Sequence, residues 1–126
     1  MKIATPTDWK TKPLPKKRKT IPLDRRFTPT EMGQISKGFI PLEMEDKWFI
    51  YYKESTLFIY RSWTGYCIYV VKFVEDRHGA SMIQAYINRD RRQYGGSNDE
   101  RDAKIISWVI DFILLGRNAE FPSDES

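Results

Sequence analysis

The chain holds one cysteine, Cys67, and one histidine, His78, in 126 residues. A lone cysteine excludes an internal disulfide framework, and with a single histidine beside it too few soft ligands remain for a zinc site. No apolar run approaches the roughly 18 residues of a membrane-spanning helix, so no membrane association is expected. The stretch from Met1 to Ile21 is charged and lacks the continuous apolar core of a secretory signal, which predicts a cytoplasmic setting. Glycine does not form a nucleotide fingerprint either. Gly95-Gly96 is the one candidate, and it matches neither GxGxxG nor GK[ST].

What is present suits one globular unit. A length of 126 residues, 40% of them hydrophobic and 14% aromatic, allows one domain with a modest core. The net charge of +4 is unevenly placed: Met1–Arg26 carries nine Lys or Arg against Asp8 and Asp24, leaving the rest of the chain mildly acidic. That basic segment also contains Pro6, Pro13, Pro15 and Pro22, the composition of an extended or flexible tail. Residues 1–26 are therefore read as a basic tail, 27–117 as the folded domain and 118–126 as a polar C-terminal tail. Within the first of these, Lys16, Lys17, Arg18, Lys19, Arg25 and Arg26 are candidates for gripping nucleic-acid phosphates.

Helix signals begin at Phe27. Thr28 can cap, Pro29 suits the first helical position, Glu31 completes a capping box and Phe27 can staple onto Met32, with Gly38 as the stop. Four aromatic and β-branched runs follow, at Lys47–Lys53, Leu57–Ser62, Tyr66–Glu75 and Ala80–Arg89. The short connections Glu54-Ser55-Thr56 and Asp76-Arg77-His78-Gly79 make them an antiparallel meander. A second capping box, Ser97 to Glu100, opens a helix that runs to Leu115 and ends at Gly116. The expected class is α+β: a four-stranded antiparallel meander packed against a C-terminal helix, with a short N-terminal helix and a basic extended tail. The first three strands are apolar on both faces, whereas one helix covers one face. The N-terminal segment and a homodimer contact are expected to cover the other.

Alternating strand direction gathers loops at one end of the sheet. There the hexapeptide Arg61-Ser62-Trp63-Thr64-Gly65-Tyr66, bulkier than a turn requires, meets the stretch from Asn88 to Tyr94. Arg61, Arg89 and Arg91 offer bidentate contacts to phosphate, and Trp63, Tyr66 and Tyr94 offer faces for a base. Ser62, Thr64, Asn88 and Gln93 add hydrogen-bonding groups, and the helix start near Ser97 adds backbone N–H groups for an anion. Cys67 and His78 fall at opposite ends of the third strand, and Glu45, Asp46 and Asp90 are loop acids whose usual state is solvated. No catalytic residue, metal or cofactor is assigned.

Trp48, Arg61 to Tyr66, Asn88-Arg89-Asp90 and Gln93-Tyr94 together resemble a small uncharacterised bacterial domain associated with ADP-ribosylglycohydrolase-type proteins, over about residues 41–115. The resemblance implies a connection to ADP-ribose or related nucleotides. It does not carry over a hydrolase activity, because the metal-binding carboxylates of that chemistry are missing. The functional expectation is a non-enzymatic ligand-binding or accessory domain. The alternatives are nucleic-acid binding through the basic tail and protein interaction through an exposed aromatic sheet face.

Overall fold

A computed structural model describes residues 2–123. Five strands form one antiparallel sheet: β1 (Arg18–Phe27), β2 (Trp48–Lys53), β3 (Thr56–Arg61), β4 (Cys67–Asp76) and β5 (Gly79–Asn88), in the spatial order β1-β5-β4-β3-β2. The meander is present as expected, and β1 is an additional strand that pairs antiparallel with β5. The last nine residues of the 26 read as a tail, Arg18–Arg26, are thus part of a sheet edge. The physical reason is that an edge strand tolerates Pro22 and favours Lys and Arg, because one row of its backbone groups needs no partner. Along it Ile21 and Phe27 are buried, Leu23 and Arg25 are half-buried and the intervening residues are exposed.

Helix α1 (Pro29–Ile35) begins as its sequence dictates. Thr28 caps it and exchanges hydrogen bonds with Glu31 in a full capping box. Gly38 follows with φ of 67°, and a Cβ there would lie 2.2 Å from the Ile50 carbonyl oxygen. Helix α2 (Asp99–Trp108) is capped by Asn98, whose side chain accepts from the Arg101 N–H, one residue later than the expected Ser97. It continues into a π-helical segment, Val109–Leu114, before Gly116. Among the described residues no helix is long and apolar enough to cross a membrane.

One sheet face carries the main core. Trp48, Ile50, Leu57, Ile59, Val71, Met82, Ala85 and Ile87 meet Ile105, Ile106, Val109, Ile110 and Leu114 from the C-terminal helix. Ile35 of α1 joins this same core, so α1 does not cover the opposite face. Arg117 fastens these parts by pairing with Glu31 of α1 and with Asp111, which Arg25 of β1 also grips through two bonds. On the second face Phe49, Tyr51, Tyr60 and Cys67 are buried with Ala4, and Trp9, Leu14 and Ile40 pack against them. Ala4, Trp9 and Leu14 of the N-terminal segment therefore do the covering, with Ile40 beside them. Phe58 and Val70 at its margin stay half-buried, and Val74 beyond is exposed. The C-terminal segment also folds back: Trp108 donates to the Ala119 carbonyl and meets the Phe121 ring edge-on at 4.9 Å. The remainder of the expected C-terminal tail, 124–126, lies outside the described residues.

Candidate functional site

The hexapeptide and the loop after β5 do meet. Arg61, Trp63 and Thr64 join Gln93, Tyr94, Gly95 and Lys47 around a cleft of about 310 Å³. The turn is closed by the Gly65 N–H to the Arg61 carbonyl at 2.8 Å and the Arg61 N–H to the Tyr66 carbonyl at 2.9 Å. Gly65 takes φ of 79°, and a Cβ there would sit 3.0 Å from the Lys10 carbonyl oxygen, so the residue admits both the turn and the N-terminal segment crossing it.

The cleft combines cations with aromatic faces. Trp63 is 58% exposed, and its indole N–H is held by the Met44 carbonyl at 2.9 Å. Lys47 Nζ lies 5.2 Å from the Trp63 ring centre, and the Arg61 guanidinium stacks 4.8 Å over Trp48. Fixed orientation with an exposed face is what a stacking platform requires.

The rear wall rests on a buried polar group. Asp102, 1% exposed, accepts from the hydroxyls of Tyr69 at 2.7 Å and Tyr94 through Oδ1. Its Oδ2 faces Arg89 Nη2 at 2.7 Å, an ion pair whose atoms are out of line for a hydrogen bond. Arg89 also grips Asp99 at 2.7 Å and the Gly96 carbonyl. Burial drives both tyrosines above their ordinary value, aided by the Asp102 carboxylate, with Tyr94 at about 12. Their hydroxyls remain donors across the physiological range.

Other expected site residues have structural work instead. Ser62 is buried and ties three segments together: its hydroxyl donates to the Asp46 carbonyl, its N–H to the Lys47 carbonyl, and its own carbonyl accepts from Trp9. Asn88 is fully buried, donating to the Cys67 carbonyl and Gln93 while accepting from the Asp90 N–H. Arg89 turns toward the start of α2, and that helix start opens into a separate hollow with Arg18 and Lys19. It does not share the Arg61 cleft. Tyr66 lies under Lys12, and Arg91 lines a second depression with Lys16, Lys17 and Arg92.

Of the expected basic tail, Arg18 donates to the Leu14 and Pro15 carbonyls, Lys19 pairs with Asp99, Arg25 with Asp111 and Arg26 with Asp76. Lys16 and Lys17 remain turned to solvent. Lys47 and Gly95 were not among the expected residues, although the strand-direction argument that placed Glu45 and Asp46 at this end extends to Lys47.

Two of the loop acids, Asp46 and Asp90, are engaged too. Asp46 accepts from the Leu42 and Glu43 N–H groups, and Asp90 is drawn down to about 2 by Arg92. The buried Cys67 thiol is pushed up to about 12 by desolvation, which removes thiolate reactivity near neutrality. No group of three or more His, Cys, Asp or Glu among the described residues is placed to hold a metal ion. Comparisons with protein families, curated proteins and solved structures give no match.

Proposed function

We propose that this chain is a ligand-binding domain without catalytic groups of its own, and that the cleft between the 61–66 turn and the 90–95 loop takes an anionic molecule carrying a flat ring. The observation that carries this reading is the convergence of Lys47 and Arg61 with the exposed, anchored indole of Trp63 and the amide of Gln93. An ADP-ribose-like nucleotide is the instance to which the sequence resemblance points. A cleft of about 310 Å³ is at the small end of ligand sites, which run from roughly 300 to 1,000 Å³. It suits a base with one sugar or phosphate, and the remainder of a larger nucleotide would lie along the surface.

Thermal shift against adenosine, AMP, ADP and ADP-ribose tests this. A phosphate-bearing member at about a hundredfold its Kd stabilises the native state by roughly 2.7 kcal/mol, and adenosine does so less because it offers nothing to Lys47 or Arg61. Trp63→Ala and Arg61→Ala each weaken the effect about tenfold or more in Kd. Stabilisation by no member of the panel, or equal stabilisation of both variants, would refute the reading.

A further inference from the structure

The loop that forms one wall of the cleft forms a wall of a second hollow on its other side. Gln93, Tyr94 and Gly95 face the Arg61 cleft, while Asp90, Arg91 and Arg92 face a depression of about 510 Å³ with Pro15, Lys16 and Lys17. The segment from Lys12 to Lys17 crosses between them and is fixed at both ends. At one end the Lys12 N–H donates to the Gly65 carbonyl at 2.8 Å, and at the other the Arg89 N–H donates to the Lys17 carbonyl at 2.9 Å. Tyr66, the residue after Gly65, is half-buried here with Lys12 Nζ 4.8 Å from its ring centre.

Cations and rings pair along this end of the sheet, Lys47 with Trp63 and Lys12 with Tyr66, and the cations continue through Lys16, Lys17 and Arg91. Among the described residues lining the two hollows, Asp90 is the single carboxylate, and Arg92 matches it at 2.8 Å. The result is a cationic track that carries two accessible rings, Trp63 and Tyr66, toward its cleft end. Such an arrangement follows a phosphate backbone and stacks on bases whose faces are open. Bases in a duplex hide those faces, and an acidic protein surface has the charge without a repeating series of rings.

We infer that the cleft is the first subsite of a path for single-stranded nucleic acid, continuing over Tyr66 to Lys16, Lys17 and Arg91. This rests on the nucleotide reading of the cleft and extends it. The path differs from a loose basic tail, because Arg18, Lys19, Arg25 and Arg26 are engaged within the fold and the backbone that carries Lys16 and Lys17 is pinned at Lys12 and Lys17.

Fluorescence anisotropy with the full chain and labelled oligo-dT and oligo-rU tests the path, alongside AMP binding by calorimetry. Affinity rises with length over about 2 to 6 nucleotides, within the range of short single-strand sites. The logarithm of affinity falls with that of salt by about 0.7 for each phosphate contacted. The exposed triple variant Lys16→Glu, Lys17→Glu, Arg91→Glu weakens oligonucleotide binding at least tenfold and leaves AMP binding unchanged, whereas Trp63→Ala weakens both. Circular dichroism confirms that the variants are folded. If AMP binds but oligonucleotides bind no tighter, or the triple variant binds them like the parent, the path is refuted and the cleft reading stands. If poly-glutamate competes as well as oligo-dT, charge alone is being sensed and the inference fails. If neither AMP nor oligonucleotides bind, both readings fall.

Discussion

Asp102 is the residue on which the candidate cleft depends most, although it is out of reach of any ligand. A buried carboxylate persists only where its charge is met, and here Arg89 and the hydroxyls of Tyr69 and Tyr94 meet it. Removing it leaves the 16%-exposed Arg89 side chain with Asp99 as its remaining acidic partner and frees Tyr94, the cleft wall, to move. Asp102→Ala is expected to cost about 3 to 5 kcal/mol, as for other broken buried pairs. Asp102→Asn keeps an acceptor for the tyrosines and leaves Asp99 on Arg89, so a smaller loss of about 1.5 to 3 kcal/mol is expected. Urea denaturation followed by tryptophan fluorescence checks the order, and equal losses would show that shape and not charge is what Asp102 supplies. Gly96 belongs to the same assembly, since a Cβ there would lie 2.5 Å from the Tyr94 ring.

At the scale of elements, β1 shows how composition and position can point in different directions. A basic, proline-bearing stretch has the content of a disordered tail, yet Ile21, Leu23, Arg25 and Phe27 recur at every second residue and all turn toward the core side. That alternation was in the sequence. Composition masks it, because Arg25 reads as a solvent residue until its partner Asp111, 86 positions away, is brought beside it. The four later strands were legible to within a residue because their aromatic and β-branched runs have no competing reading, and α1 because its capping box is a local code. The π-helical widening after Trp108 leaves no mark in apolar periodicity, because both helix types bury the same broad stripe. If β1 and the segment before it are structural, deleting residues 1–26 strips the cover from Phe49, Tyr51 and Tyr60 and opens the edge of β5. The truncated chain is expected to aggregate or lose cooperative thermal unfolding by circular dichroism and size-exclusion chromatography. An unchanged melting temperature would mean the segment does not contribute to the fold.

Across the whole molecule, the position of the cleft followed from strand direction, but its membership did not. Arg89 is drawn away from it by Asp99, Asp102 and the Gly96 carbonyl, groups that only the folded chain brings near. The same interior sets the response to alkali. Burial raises Cys67 from 9.0 to about 12 and Tyr94 from 10.0 to about 12. Tyr60 and Tyr69 move further up for the same first cause, and Tyr52 does so through burial and then Glu75. Each such acid keeps its proton longer folded than unfolded, so once the unfolded chain begins to ionise, rising pH favours unfolding. The contribution of these groups is constant below about pH 8.5 and is lost as pH rises from there toward their folded values, at a rate of at most about 1.4 kcal/mol per pH unit for each group. The urea midpoint is expected to stay level from about pH 7 to 8.5 and then to drop steeply above about pH 10. The ion pairs of the core side survive that range because Arg25, Arg89 and Arg117 stay charged. Tyr94→Phe removes one titrating group without opening a large cavity, so its decline should be shallower than that of the parent even though its midpoint at neutral pH is lower. A parallel decline in the two proteins would show that Tyr94 takes no part in the alkaline transition.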